Sequence, residues 1–239
     1  MTSGGHPTRL GLLGGMSWQS TAVYYRILNE LVAERMGGHA SAPVTIHSVD
    51  FAEIEAAQRA GDWPSQAAIL NDAARKLEAA GAGVIALATN TLHLVADRIT
   101  AGLSVPFLDL IEVVGEAAAA AGYGTVGLLG TAYTMSAELY PSRLARYGVE
   151  VIVPDSDDQQ RVHEIIYTEL VRGSFSPSAK REYLEIIERL AERGAEAVVL
   201  GCTEIGLLLT DGEAVVPLLD TTKLHCDALV AQMLKGTPS

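Results

Sequence analysis

Three short apolar motifs occur twice in this chain, in the same order. Gly11-Leu12-Leu13-Gly14 returns as Gly127-Leu128-Leu129-Gly130, and the stretch Ile85 to Thr91 returns as Val198 to Glu204. Val105-Pro106-Phe107-Leu108-Asp109 returns as Val216-Pro217-Leu218-Leu219-Asp220. The spacings are about 111 to 116 residues, a scatter that ordinary loop-length variation covers. One such match is cheap, but three in order are hard to obtain by chance. The chain therefore reads as two related halves.

Within the first half, short apolar runs alternate with longer helical patterns. Strands are expected at 9–15, 44–50, 83–89 and 105–110, and helices at 20–36, at 64–80 with Gly81 as a stop, and again from Thr91 onward. Strand, helix, strand in this order predicts parallel βαβ units, hence an α/β fold of two pseudo-symmetric parallel-sheet domains. A chain of 239 residues with 49% hydrophobic and only 5% aromatic content suits such sheets under Ala- and Leu-rich helices. In open α/β sheets ligands sit beyond the carboxyl ends of the strands. Related halves facing one another would then place Thr89-Asn90-Thr91 and Cys202-Thr203-Glu204 on either side of one cleft, the expected active site.

The remaining bulk features exclude partners. The net charge of −12, without a Lys/Arg cluster, argues against nucleic acid. No apolar stretch approaches a membrane span, and the N-terminus shows no export signal. The two cysteines, Cys202 and Cys226, have no metal-type spacing and read as free thiols in a reducing compartment, the cytoplasm.

Cys202 follows a strand pattern and precedes a helical one, so a helix N-terminus is expected to favour its thiolate. Glu204 opposes this unless it points away or is hydrogen-bonded. Cys226 lies on a helical pattern and reads as packing. Thr89, Asn90 and Thr91 offer hydroxyl and amide groups for a carboxylate or an amine, although capping of the next helix is the competing explanation. The loop GLLGGMSWQST lacks both G-x-G-x-x-G and a P-loop ending, so it could approach any anion or simply form a tight turn. Its partner loop GTAYTM adds Thr131 and Thr134. His47, His93 and His163 are scattered, and His93 reads equally as a cleft residue or a structural one.

Together, GLLGGMSWQSTAVYYRILNE, HSVDFAEIEAAQ, ATNTLH, GLLGTAYTM and LGCTEIGLLL resemble the aspartate/glutamate racemase family, in its aspartate and broad-specificity amino-acid racemase branch. The resemblance covers nearly the whole chain. It implies domains at 1–107 plus 221–239 and at 108–220, a homodimer, an amino-acid substrate, and no pyridoxal phosphate, metal or other cofactor. It also implies two cysteines on opposite faces of the substrate, one removing the α-proton and the other returning one. The family's usual C-N-T is T-N-T here, so Thr89 takes the first cysteine position and Cys202 the second, as base for the L-enantiomer. A threonine hydroxyl is a far weaker acid than a thiol, so proton transfer is expected to be asymmetric. Met16, Gln58, Asn90, Thr91, Thr203 and Glu204 are the implied substrate contacts, with Thr131 and Thr134 as further cleft residues. Arg172 is the candidate cation for an acidic side chain, and Arg59, beside Gln58, is a positional alternative. Two other readings compete: a one-cysteine decarboxylase or isomerase of a small dicarboxylic acid, and a non-catalytic amino-acid-binding protein.

Overall fold

The structure is a computed structural model and describes residues 7–210 and 212–235. The start of the N-terminal segment, where no export signal is expected, and the last four residues of the segment 221–239 assigned to the first domain lie outside the described residues. The described residues form two compact units, one of those up to Asp109 together with those from His225 onward, and one of those between Leu110 and Leu224.

The first unit holds strands β1 (Leu10–Gly14), β2 (Val44–Ser48) and β3 (Val84–Leu87) in a parallel sheet of order β2-β1-β3. Alternate side chains of a strand face opposite sides of its sheet, and the core divides accordingly. Leu10, Leu12, Val84, Ala86 and Ala88 pack with Tyr24, Leu28 and Val32 of the helix Trp18–Met36 and with Cys226, Leu229 and Val230 of the helix Thr221–Met233. Leu13, Ile85 and Leu87 pack on the other face with Leu70, Ala74 and Leu77 of the helix Trp63–Ala79. Both faces are covered, which is why LGLLG and VIAL read as continuous apolar runs and are buried throughout.

The second unit repeats the plan with one more strand. Its strands β4 (Thr125–Leu129), β5 (Glu150–Ile152), β6 (Ala197–Leu200) and β7 (Leu218–Asp220) run parallel in the order β5-β4-β6-β7. The duplication extends to single hydrogen bonds. Ala88 N–H donates to the Leu13 carbonyl at 2.9 Å, and Gly201 N–H donates to the Leu129 carbonyl at 2.7 Å. Ile85 N–H donates to Pro106 O and Val198 N–H to Pro217 O, both at 2.9 Å. The first glycine of each GLLG motif has one job as well. A Cβ on Gly11 would lie 3.0 Å from Leu77 Cβ, and one on Gly127 would lie 3.0 Å from Leu190 Cδ1. Glycine in each central strand thus lets the helix beneath it approach closely.

Two expectations are corrected. Residues 105–110 do not form a strand, and only an isolated bridge joins Ile85 to Phe107. Pro106 has no N–H to donate, and the Leu108 carbonyl that would carry the ladder onward instead lies 3.0 Å from His225 Nε2. The helix expected after Thr91 is also shorter than its pattern suggests, a 3₁₀ turn over Thr91–Val95 followed by Ala96–Ile99. Among the described residues, no helix is long and apolar enough to cross a membrane.

Candidate active site

In both units the chain leaves the central strand toward one neighbour and later returns to pair on its other side. Such a reversal opens a crevice at the carboxyl ends of the strands concerned, here β1 with β3 and β4 with β6. The site candidates come from these strand ends.

At the end of β3, residues 84–88 are buried, Thr89 is half-buried, and Asn90 and Thr91 are buried again. At the end of β6, residues 197–201 are buried, Cys202 is half-buried, and Thr203 and Glu204 are buried. The exposure pattern is therefore the same, position for position, with Thr89 and Cys202 as the accessible side chains. Capping does not account for the first triplet, because Asn90 sits at the start of the 3₁₀ turn without a side-chain capping bond.

The Thr89 loop is held from below by histidines. His93 is fully buried, and its Nδ1 lies 2.8 Å from the Thr89 carbonyl. A carbonyl only accepts, so His93 Nδ1 carries the proton. His225 sits beside His93, with ring centroids 6.4 Å apart. Its Nε2 donates to the Leu108 carbonyl, leaving Nδ1 to accept from the Tyr24 hydroxyl at 3.0 Å. Burial, reinforced by His93, pushes the His225 pKa down to about 3, so the ring is neutral at physiological pH. His93 is thus a structural residue. Nothing in the sequence marks His225 and Tyr24 for this part, because KLHCDALV carries only a helical pattern.

The loop after β1 lies next to this strand end. Gly15 has φ +96°, and a Cβ there would meet the Val49 backbone oxygen at 2.3 Å. Its N–H donates to Thr21 Oγ1 at 2.8 Å, so that amide is already satisfied within the turn and is not presented to an anion. Met16 is buried in the cluster that also holds Ile54, and Gln58 is buried one turn further along the helix Phe51–Arg59. Arg59 is turned to solvent and bonds Glu55 at 2.8 Å.

In the second unit, Thr131 caps the short helix Ala132–Ser136, and its hydroxyl lies 3.2 Å from that of buried Thr134. His163 Nδ1 accepts from Ala132 N–H at 3.1 Å and so braces the same turn, and burial lowers its pKa. A Cβ on Gly201 would touch Thr134 Cγ2 at 3.4 Å, which places this turn against the strand end that carries Cys202.

Cys202 corrects a sequence expectation. The helix behind it spans only Ile205–Leu208, one turn, and offers little dipole to favour a thiolate. Glu204 does not point away: Cys202 Sγ donates to Glu204 Oε2 at 3.0 Å. Burial first, and then the Glu204 carboxylate, push the thiol well above its ordinary pKa, and the backbone N–H groups of Glu204 and Ile205 only partly offset this. Tyr183, fully buried and donating to the Val162 carbonyl at 3.2 Å, is also pushed up, by burial and then by Cys202, Glu169 and Glu204. Arg172 is solvent-exposed on the 3₁₀ turn Leu170–Arg172, whose Leu170 packs in the cluster that contacts Cys202. Among the described residues, no group of three His, Cys, Asp or Glu side chains is placed to hold a metal ion.

The model of the family described as Asp/Glu/Hydantoin racemase matches residues 13–229, which includes both strand ends. This chain belongs to that family. Membership makes it an isomerase of the racemase class. Its fold superposes on the crystal structure of a candidate Asp/Glu racemase from Yersinia pestis with a TM-score of 0.89, at 43% identity over 95% of this chain and 99% of the other. An aspartate racemase homologue from Pyrococcus horikoshii gives a TM-score of 0.83, at 33% identity over 94% of this chain and 98% of the other. In sequence the chain is also 28% identical over 164 residues to the broad specificity amino-acid racemase RacX of Bacillus subtilis, covering 68% of this chain and 70% of the relative.

Proposed function

We propose that this racemase acts on acidic amino acids, without pyridoxal phosphate or metal, by moving the α-proton of aspartate or glutamate from one face of the carbon to the other. The observation that carries the reading is the matched exposure of Thr89 and Cys202 at the duplicated strand ends. Racemisation needs a base on one face and an acid on the other, and a duplicated strand end supplies two such positions. Cys202, as thiolate, removes the α-proton of the L-enantiomer. Thr89 addresses the opposite face as a weak acid that relays a solvent proton, so the enzyme works better from L than from D. Asn90, Thr91 and Thr203 bind the amino and carboxylate groups, Met16 and Gln58 line the substrate, and Thr131 and Thr134 complete the wall. Arg172 serves the side-chain carboxylate. The enzyme works as a cytoplasmic homodimer.

The test is proton NMR in deuterated buffer with L- and D-aspartate, glutamate and homoserine supplied separately. The expected result is rapid loss of the α-proton signal from an acidic L-substrate, slower loss from its enantiomer, and neither in Cys202→Ala. Absence of exchange from all six would overturn the racemase reading. In that case the single thiol would favour a one-cysteine decarboxylase or isomerase of a small dicarboxylic acid.

A further inference from the structure

We infer that His163 is a positioning residue for the substrate, one that holds the turn 131–134 only while its imidazole is neutral, so that affinity for substrate falls on acidification. The inference rests on the racemase reading, which puts Thr131 and Thr134 in the wall of the site. His163 is half-buried, and its Nδ1 accepts from Ala132 N–H at 3.1 Å, across 31 residues of chain. A ring nitrogen that accepts carries no proton, so the proton of this imidazole is on Nε2. Thr131 Oγ1, which caps the same short helix, is engaged elsewhere: it accepts from Thr134 N–H at 3.3 Å and lies 3.2 Å from the Thr134 hydroxyl. The turn also abuts the strand end. A Cβ on Gly130 would lie 3.2 Å from the Gly201 carbonyl oxygen, and one on Gly201 would lie 3.4 Å from Thr134 Cγ2. Any shift of the turn is therefore a shift of the wall beside Cys202.

Protonation of Nδ1 would set two N–H donors against each other and leave the Ala132 amide without its acceptor. The first unit shows the alternative. Its matching turn is tied by Gly15 N–H to Thr21 Oγ1 at 2.8 Å, and a hydroxyl accepts whatever the pH near neutrality. Sensitivity to acid is thus built into one half of a duplicated arrangement. The groups facing His163 decide where it titrates. The helix Ala132–Ser136 presents the Tyr133 ring, with centroids 6.2 Å apart. Its own helix, Ser156–Thr168, presents the Tyr167 ring at 4.7 Å and the Glu164 carboxylate. Burial lowers the His163 pKa and Glu164 raises it, with burial the larger effect. The charges of the adjoining helix Pro177–Glu192 are met elsewhere on Ser156–Thr168, where Glu182 pairs with Arg161 and Arg189 with Asp158. The ring is accordingly neutral at pH 7 and gains its charge below the ordinary histidine value of about 6.5.

The test compares the unaltered protein with two variants. In His163→Asn the amide oxygen accepts where Nδ1 did but does not titrate, and in His163→Ala the acceptor is gone. Two quantities are read from pH 7 down to pH 5. One is the protection of the Ala132 amide against solvent exchange by proton–nitrogen NMR, relative to its intrinsic exchange rate. The other is KM and kcat for α-proton exchange from L-aspartate, whose carboxyl groups stay ionised because they titrate at about pH 4 or below. In the unaltered protein, acidification should lower the protection and raise KM about fivefold, the scale of one lost neutral hydrogen bond. KM should stay low at every pH in His163→Asn and high at every pH in His163→Ala, while kcat follows one pH profile in all three. Protection that is independent of pH, or that falls equally in His163→Asn, would overturn the brace. A KM that climbs as steeply in His163→Asn as in the unaltered protein would overturn the positioning role. If protection follows the titration of His163 but the unaltered protein exchanges no α-proton, the brace stands, and the racemase reading fails together with the effect on affinity.

Discussion

The Nδ1 atom of His93 sits 2.8 Å from the carbonyl oxygen of Thr89, so a buried imidazole holds the backbone of the residue that matches Cys202 in the other unit. The bond fixes the backbone of the strand end and leaves the threonine side chain half-exposed. His93→Ala should therefore cost about 1–3 kcal/mol in folding free energy, the penalty for leaving a buried carbonyl unpaired. It should also weaken substrate binding, because Thr89 and Asn90 lose their support. Urea denaturation, together with KM and kcat for L-aspartate, checks both. Unchanged stability would mean that the carbonyl finds another donor.

Thr89→Cys would supply a second thiol at the matched position. A thiol is a much stronger acid than a threonine hydroxyl, so exchange from D-aspartate should rise by about tenfold or more and the L-over-D asymmetry should shrink. The NMR assay reads this directly. An unchanged ratio would place the origin of any asymmetry elsewhere than in Thr89.

His225 gives stability a pH dependence of definite sign. In the folded protein its pKa is pushed down to about 3 by burial and by His93, whereas an unfolded histidine titrates near about 6.5. Between these values the unfolded chain binds a proton that the folded chain refuses, so stability falls as pH drops through this window. His163, also lowered by burial, contributes with the same sign. Urea midpoints measured from pH 7 down to pH 4 should decline, and the decline should be shallower in His225→Gln. A slope identical in the two proteins would show that His225 is not the group responsible.

Two positive-φ glycines should respond very differently to alanine. At Gly15 a Cβ would run into the Val49 backbone, and that backbone cannot yield as a flexible side chain could. At Gly37, φ +73°, nothing lies within 4 Å of a Cβ. Gly37→Ala should cost only about 1 kcal/mol, from left-handed backbone strain alone. Gly15→Ala should cost several times as much, about 3 kcal/mol or more, and should disturb the adjacent Met16. Denaturant midpoints of the two variants provide the comparison.

What the sequence determined by itself is what depends on local periodicity and on chain order. LGLLG, VIAL and their copies announce strands buried on both faces, because every residue in them is apolar or glycine. The motif spacing announces the duplication, which the parallel backbone hydrogen bonds at Ala88 and Gly201 repeat almost atom for atom. The positions of Thr89 and Cys202 as strand-end groups follow from that pattern alone. Tertiary structure decided what depends on partners far apart in the chain. VPFLDL reads as a strand as well as VPLLD does, yet His225 takes the Leu108 carbonyl and the ladder stops. No periodicity marks His225, because its role depends on where Tyr24, His93 and Leu108 come to lie around it. Glu204 stands two residues from Cys202 in the chain, but whether its carboxylate turned toward the sulfur or away depended on the packing behind it. A hydrophobic pattern specifies the face on which a side chain lies, whereas a hydrogen bond requires a partner at a given distance and angle, and only the folded chain supplies one.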